Sequence, residues 1–191
     1  NVKGLYSAIV NFISRANLNM TPGQTDELFR LRAAGRDIVE AIKDTKHMHK
    51  NLKEYIVSDN DDIRAEYNSI RIQLGEVLRR LGEARNEPDD PTTVLSLDAI
   101  RLQMEESDST ANGILEVLIR ENRITPQMAT SLMNDSAYAY DVAKNLVQMG
   151  EVLFSSHDPE QRDIDHELAL SDEETEQMAI DSMATKRAAE R

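Results

Sequence analysis

Five polar side chains recur at helical spacing within one stretch of the chain: Asp37, Glu40, Asp44, His47 and Asn51. Steps of three and four residues keep them along one edge of a helix. Glu40-x-x-x-Asp44 sets two carboxylates one turn apart, and His47 adds an imidazole three residues on. Oxygen and imidazole donors in this pattern suit a divalent metal ion, so Asp37, Glu40, Asp44 and His47 form a candidate metal edge. The simpler reading is a solvated edge whose acids pair with Lys43, Lys50 or a neighbouring helix. The outer face of the same helix carries Lys43, Lys46, Lys50 and Lys53. Such a stripe is ordinarily a solvated face. Its sharper reading is a docking surface for anionic lipid headgroups or for an acidic partner.

Other chemistry finds little support. Asp44-x-x-His47 and Asp163-x-x-His166 are similar to the carboxylate-x-x-His element of di-iron bundles. Those sites use Glu, with further Glu residues from two more helices, all directed inward. Here the carboxylate is Asp, and the second copy falls in a segment poor in large apolar residues. There is no glycine-rich phosphate loop, nucleophile elbow or zinc-protease motif. Cysteine is absent, which removes thiolate ligands, disulfides and a thiol nucleophile. The net charge of −13 argues against nucleic acid as a partner, because neutralising phosphates requires clustered Lys and Arg.

The elements that must carry these residues are helical. The chain has 191 residues, 4% of them aromatic, with only 7 Gly and 5 Pro. A core built from small aliphatics and Met fits a helical bundle better than a sandwich. Leu5, Ile9, Phe12 and Ile13 give residues 4–17 an amphipathic helix expected to pack on the bundle. Residues 24–57 form a long helix, started by Thr21-Pro22, whose predicted buried face is Leu31, Ile38, Ile42, Thr45, Met48, Leu52 and Ile56. Ser58 to Asp61 make a turn. Residues 61–85 follow with Ile63, Tyr67, Ile70, Leu74, Val77 and Leu81 as their stripe, and the short turn makes these two helices antiparallel neighbours.

Residues 86–91 form a linker, and Asp90-Pro91 starts a helix over 91–121 with Leu97, Ile100, Met104, Ser107, Ala111, Ile114, Leu115 and Leu118 inward. Thr125-Pro126 starts the next, over 126–154, with Met128, Leu132, Ala139, Val142, Leu146, Met149 and Leu153 inward. The expected architecture is an all-α, antiparallel, up-and-down bundle over residues 1–154, with a short N-terminal helix. Residues 155–191 hold 11 acids and 4 bases and form an acidic tail, with Ser171 and Glu174 as a capping box for a last helix. No run of 18 apolar residues occurs, so no membrane span is expected. The chain opens on Asn1 and its first Met is Met20, so the expectation is a piece of a longer protein or a processed one.

A shift of 94 residues brings Lys50-Asn51-Leu52 onto Lys144-Asn145-Leu146, and Glu40, Asp44, His47 and Asn51 onto Asn134, Tyr138, Asp141 and Asn145. Two related helical hairpins would produce this pattern.

Longer phrases carry a resemblance. RDIVEAIKDTKHMHKNLKEYI, DNDDIRAEYNSIRIQLGEVLRRL and ENRITPQMATSLMNDSAYAYDVAKNLVQMGEVLF resemble the cytoplasmic C-terminal domain of bacterial Na+/phosphate cotransporter-family proteins, a domain related to PhoU. The resemblance covers about residues 3–154. It implies a PhoU-like antiparallel bundle with a duplicated three-helix architecture, on the cytoplasmic side of the inner membrane. It also implies a membrane transport domain of the same polypeptide as partner, and a non-enzymatic role in regulating phosphate transport. PhoU-like domains carry Glu/Asp-x-x-x-Asp motifs that hold metal clusters. Glu40-x-x-x-Asp44 matches that motif, whereas Asn134 and Tyr138 do not. A stand-alone metal-binding regulator of phosphate uptake is the second expectation, a di-iron enzyme a remote third. A homodimer through an apolar edge is a further expectation.

Overall fold

The computed structural model describes residues 1–16, 20–86 and 93–154, together with 177, 178, 180 and 181. The described residues are all-helical and contain no strand. Five helices follow in order: α1 (Val2–Ala16), α2 (Pro22–Tyr55), α3 (Asp61–Asn86), α4 (Thr93–Arg120) and α5 (Pro126–Phe154). The expected Asp90-Pro91 start, the side chain of Ala111, the Asp163-x-x-His166 pair and the Ser171–Glu174 capping box lie outside the described residues.

Local chemistry fixes the helix ends. The Thr21 hydroxyl accepts from the Gln24 backbone N–H, and the Gln24 side chain accepts from the Thr21 N–H, a reciprocal capping box with Pro22 beside it. Thr125 caps α5 through the Met128 N–H at 3.2 Å, ahead of Pro126. Asn60 caps α3 by accepting from the Ile63 N–H at 3.0 Å. Its amide also donates to the Arg123 carbonyl at 2.8 Å. One side chain thus joins the α2–α3 turn to the α4–α5 turn. Arg123 adds a two-pronged ion pair with Asp62 across the same end. α4 stops at Asn122, whose φ of 56° is left-handed, while the Arg123 N–H reaches back to the Leu118 carbonyl. Asn tolerates that conformation better than other non-glycine residues do, which explains a stop without glycine.

α5 is the central helix. It packs against α2, α4 and α3, whereas α2 and α3 touch only sparsely despite the short turn between them. The adjacency expected from that turn is therefore corrected: α3 leans on α5 rather than on its predecessor. His47 lies opposite Tyr138, and Asn51 opposite Asp135, so α2 and α5 run antiparallel. Tyr67 meets Asp135 and Leu81 meets Gly150, so α3 runs parallel to α5. Two core clusters follow along the bundle. One gathers Met48, Tyr55, Ile63, Tyr67, Leu118 and Leu132 near the capped end, and the other gathers Ala34, Val77, Leu81, Leu97, Ala143 and Val147 towards the opposite end.

The buried face of α2 differs from the expected one. Ala34, Asp37, Ala41, Met48 and Tyr55 are buried, while Leu31, Ile42 and Thr45 are exposed. At 100° per residue the helix is turned by about a sixth of a revolution from its most apolar face. The physical reason lies in side-chain size: the small Ala34 and Ala41 of α2 turn inward within the two core clusters, where the larger Leu31 and Ile42 stay outside. α1 departs similarly: Ile13 is buried, but Leu5 and Phe12 are each 66% exposed. The stripes on α3, α4 and α5 are inward as expected, apart from Ile114, which is exposed.

A Cβ added at Gly150 would collide with the buried Leu81 side chain. Gly150→Ala gains about 1 kcal/mol of helix propensity but overpacks the core at about 1–3 kcal/mol. The expected outcome is a net loss of about 1 kcal/mol, from those two opposed effects, in urea unfolding. The same change at exposed Gly82, where nothing lies within 4 Å of the new Cβ, should stabilise instead.

Candidate functional site

The polar edge of α2 runs along the seam with α5, with Asp37 buried, Asp44 and Asn51 half-buried and His47 at the exposed rim. Asp37 is buried there, and desolvation pushes its carboxyl above the ordinary range, with Arg36 partly opposing. Asp44 is also raised, first by burial and then by Asp141 across the seam. His47 stacks on the Tyr138 ring with centroids 5.1 Å apart. Glu40 turns outward and accepts from Lys43 at 2.7 Å, which holds its carboxyl below the ordinary range.

The four candidate ligands therefore go to four different tasks. Among the described residues, no group of three or more His, Asp or Glu side chains is arranged to hold a metal ion. The spacing of the ligands along α2 and the Glu40–Lys43 pair were legible, but the neighbours of Asp44 and His47 depend on α5.

Deeper in the seam lies a polar cluster that periodicity alone did not single out. The Tyr67 hydroxyl donates to Asp135 Oδ2 at 2.6 Å, and Asn51 supplies Asp135 with a second hydrogen bond. Tyr67 is fully buried and Asp135 is 2% exposed. Three helices thus meet at one carboxylate. Burial raises the Asp135 carboxyl, the two hydrogen bonds lower it, and burial dominates. Burial and the adjacent carboxylate push the Tyr67 phenol up. A sequence signal did exist: an Asp among the apolar positions of α5, one helical turn before Ala139, and a Tyr within the α3 stripe.

The 94-residue shift acquires a structural meaning in this seam. It carries Asp44 onto Tyr138 and His47 onto Asp141, so the His47–Tyr138 contact and the Asp44–Asp141 approach exchange places. Two antiparallel helices that exchange in this way are related by a local two-fold axis through their seam. The repeat is a symmetry of the α2–α5 pair.

Two other surfaces stand apart. Lys43, Lys46, Lys50 and Lys53 are all exposed on the outer side of α2, with Lys43 engaged by Glu40. A cleft of about 200 Å³ opens between α3, α4 and α5, with Glu66, Gln73, Gln103 and Ser136 above a floor of Ile70 and Leu132. Burial raises the Glu66 carboxyl, and nearby Asp62 adds to it. No helix among the described residues is long and apolar enough to cross a membrane. No family model, curated protein or solved structure matches this chain.

Removing Tyr67 Oη leaves a buried carboxylate short of a donor, so Tyr67→Phe should cost about 1–3 kcal/mol. Asp135→Asn keeps an acceptor for Tyr67 and removes the buried charge. In that background Tyr67→Phe should cost less, and a double-mutant cycle in urea reads the coupling.

The pH dependence has a definite sign. Asp37, Asp44 and Asp135 hold protons more tightly folded than unfolded, so these carboxyls favour the folded state below the unfolded value of about 4. That contribution declines as pH rises through their folded values. Asp135→Asn should flatten the slope of stability against pH above about 4, measured by urea titration across the range.

Proposed function

We propose that this chain is a non-enzymatic regulatory domain of a sodium-dependent phosphate transporter. It acts at the cytoplasmic side of the inner membrane on a membrane transport domain of the same polypeptide. The three long phrases that resemble cotransporter C-terminal domains supply the assignment. The observation that carries the mode of action is the outer face of α2, where Lys43, Lys46, Lys50 and Lys53 line about three turns of one rigid helix. Regularly spaced cations on a straight element suit an acidic cytoplasmic loop or an anionic membrane surface. The seam carboxylate Asp135, in contrast, is engaged with Tyr67 and Asn51 in holding the helices together. Docking by α2 would bias the transport domain between its conformations, and the size of the bias equals the difference in docking free energy between them.

The test is sodium-driven phosphate uptake by the full-length polypeptide in proteoliposomes. The variant Lys43→Glu/Lys46→Glu/Lys50→Glu/Lys53→Glu should shift the rate several-fold from that of the parent, and high salt should move the parent towards the variant. Identical rates for parent and variant at low and high salt would sink the docking reading. Absence of segments of about 20 apolar residues elsewhere in the same reading frame would sink the transporter assignment itself.

A further inference from the structure

α3 carries five acids, and four of them meet an arginine. Asp61 pairs with Arg64, Asp62 with Arg123, and Glu76 and Glu83 with Arg79. Glu66 differs. Among the described residues, no hydrogen bond or ion pair reaches its carboxylate. The side chain is half-buried, and burial raises its carboxyl while the negative Asp62 raises it further. Among the described residues no cation stands close enough to offset either effect. A partly desolvated carboxylate without a partner destabilises the folded chain, and a ligand that brings a positive charge relieves it.

Glu66 lines the cleft of about 200 Å³ between α3, α4 and α5. Along α3 the lining runs from Glu66 to Gln73, about 10 Å of helix. Ile70, Ile114 and Leu132 give the cleft an apolar wall, one residue from each helix. Gln73 donates its amide to the Ser69 hydroxyl at 3.2 Å, which leaves its carbonyl oxygen to accept from a ligand. No Lys, Arg or His is among the described residues that line the cleft. Lys144 lines a separate, smaller hollow beyond Met104 and Tyr140.

We propose that this cleft binds a small primary alkylamine, with Glu66 holding the ammonium head and the apolar wall holding the alkyl stem. Charge decides the sign of the ligand, because an anion would meet Glu66 and find no cation among the described lining residues. Size decides its class. The cleft is smaller than the roughly 300–1,000 Å³ of sites for drug-sized molecules, so a ligand of a few heavy atoms fits it. An alkylammonium is charged at neutral pH, as the lysine side chain is. Its head is a compact charge with three donors, which suits one carboxylate ringed by the neutral acceptors Ser69, Gln73 and Ser136.

The site is independent of the transporter reading and of the Lys stripe on α2. A ligand in the cleft touches α3, α4 and α5 together, so it binds only the folded bundle and stabilises it.

The test titrates the whole isotope-labelled chain with n-pentylammonium at neutral pH and follows backbone amide signals by NMR. Saturable shifts are expected at Ser69, Gln73 and Ser136. Pentanoate, with a similar stem and the opposite charge, should leave these signals in place. Glu66→Gln should weaken binding about ten-fold or more, the loss of a charged hydrogen-bond partner. The control Asp26→Asn removes one negative charge from an exposed site on α2 and should leave the affinity unchanged. Equal weakening by the two variants would trace the binding to the chain's overall negative charge and overturn the site. Pentanoate binding as well as the amine overturns it too, and so does the absence of saturable shifts. Tighter binding of Nα-acetyl-lysine methylamide than of n-pentylammonium would assign the head to a partner's lysine and overturn the free amine. Should Glu66→Gln lower the helical content by circular dichroism, Ser136→Leu takes its place. That change fills the cleft from α5, and undiminished affinity in it overturns the site.

Discussion

The bundle depends on one constraint: α5 must bury every side but the strip of Thr130, Met133, Asn134, Ala137 and Asp141. It has neighbours on three sides, and its buried residues step through Ala129, Leu132, Asp135, Ala139, Val142, Ala143, Val147, Met149 and Gly150. Small side chains are what make this arrangement feasible. Ala139, Ala143 and Gly150 thin the side of the helix that meets α3 and α4, and a larger residue at Gly150 would have to displace Leu81. In a close-packed interior such displacements are not absorbed for free.

Asp135 gives that apolar contact a register. A carboxylate taken into the interior must be paired or hydrogen-bonded, and only one alignment brings both Tyr67 from α3 and Asn51 from α2 to it. Sliding either helix by one turn would take away one of the carboxylate's two donors. At the capped end Asn60 and Arg123 impose a matching alignment on the two turns. Packing along α5 holds the helices together, and these polar contacts fix how they are aligned. The carboxylate that aligns the α2–α5 seam is thus Asp135 on α5, not the acids of α2 that invite a metal reading.

Much of the fold was legible residue by residue. Thr21-Pro22 and Thr125-Pro126 marked helix starts because an oxygen side chain followed by proline satisfies the first turn's chemistry locally. The α3 stripe from Ile63 to Leu81 was legible because that helix packs on one side only, so a single apolar face describes it. α2 misled for the opposite reason. Its most apolar face, Leu31 to Ile56, is not the one that α5 selects, because Ala34 and Ala41 permit a closer contact than Leu or Ile could. A periodicity argument weighs hydrophobicity and cannot weigh closeness. The candidate site was legible only in part: the edge from Asp37 to Asn51 was visible as a spacing, whereas Tyr67 and Asp135 lie on separate helices and meet only in the fold.

By itself the sequence determined the helical class, the helix boundaries, the polar edge on α2 and the Lys stripe beside it. Each of these follows from interactions within a few residues along the chain. Tertiary structure alone decided which face of α2 is buried, that α5 rather than the α2–α3 hairpin is the centre, and that the 94-residue repeat is a two-fold axis. It also decided that Asp37, Glu40, Asp44 and His47 separate to different partners. Those outcomes depend on which helix surfaces approach most closely and on where a buried carboxylate finds its donors. Both are set by contacts between residues far apart in the chain.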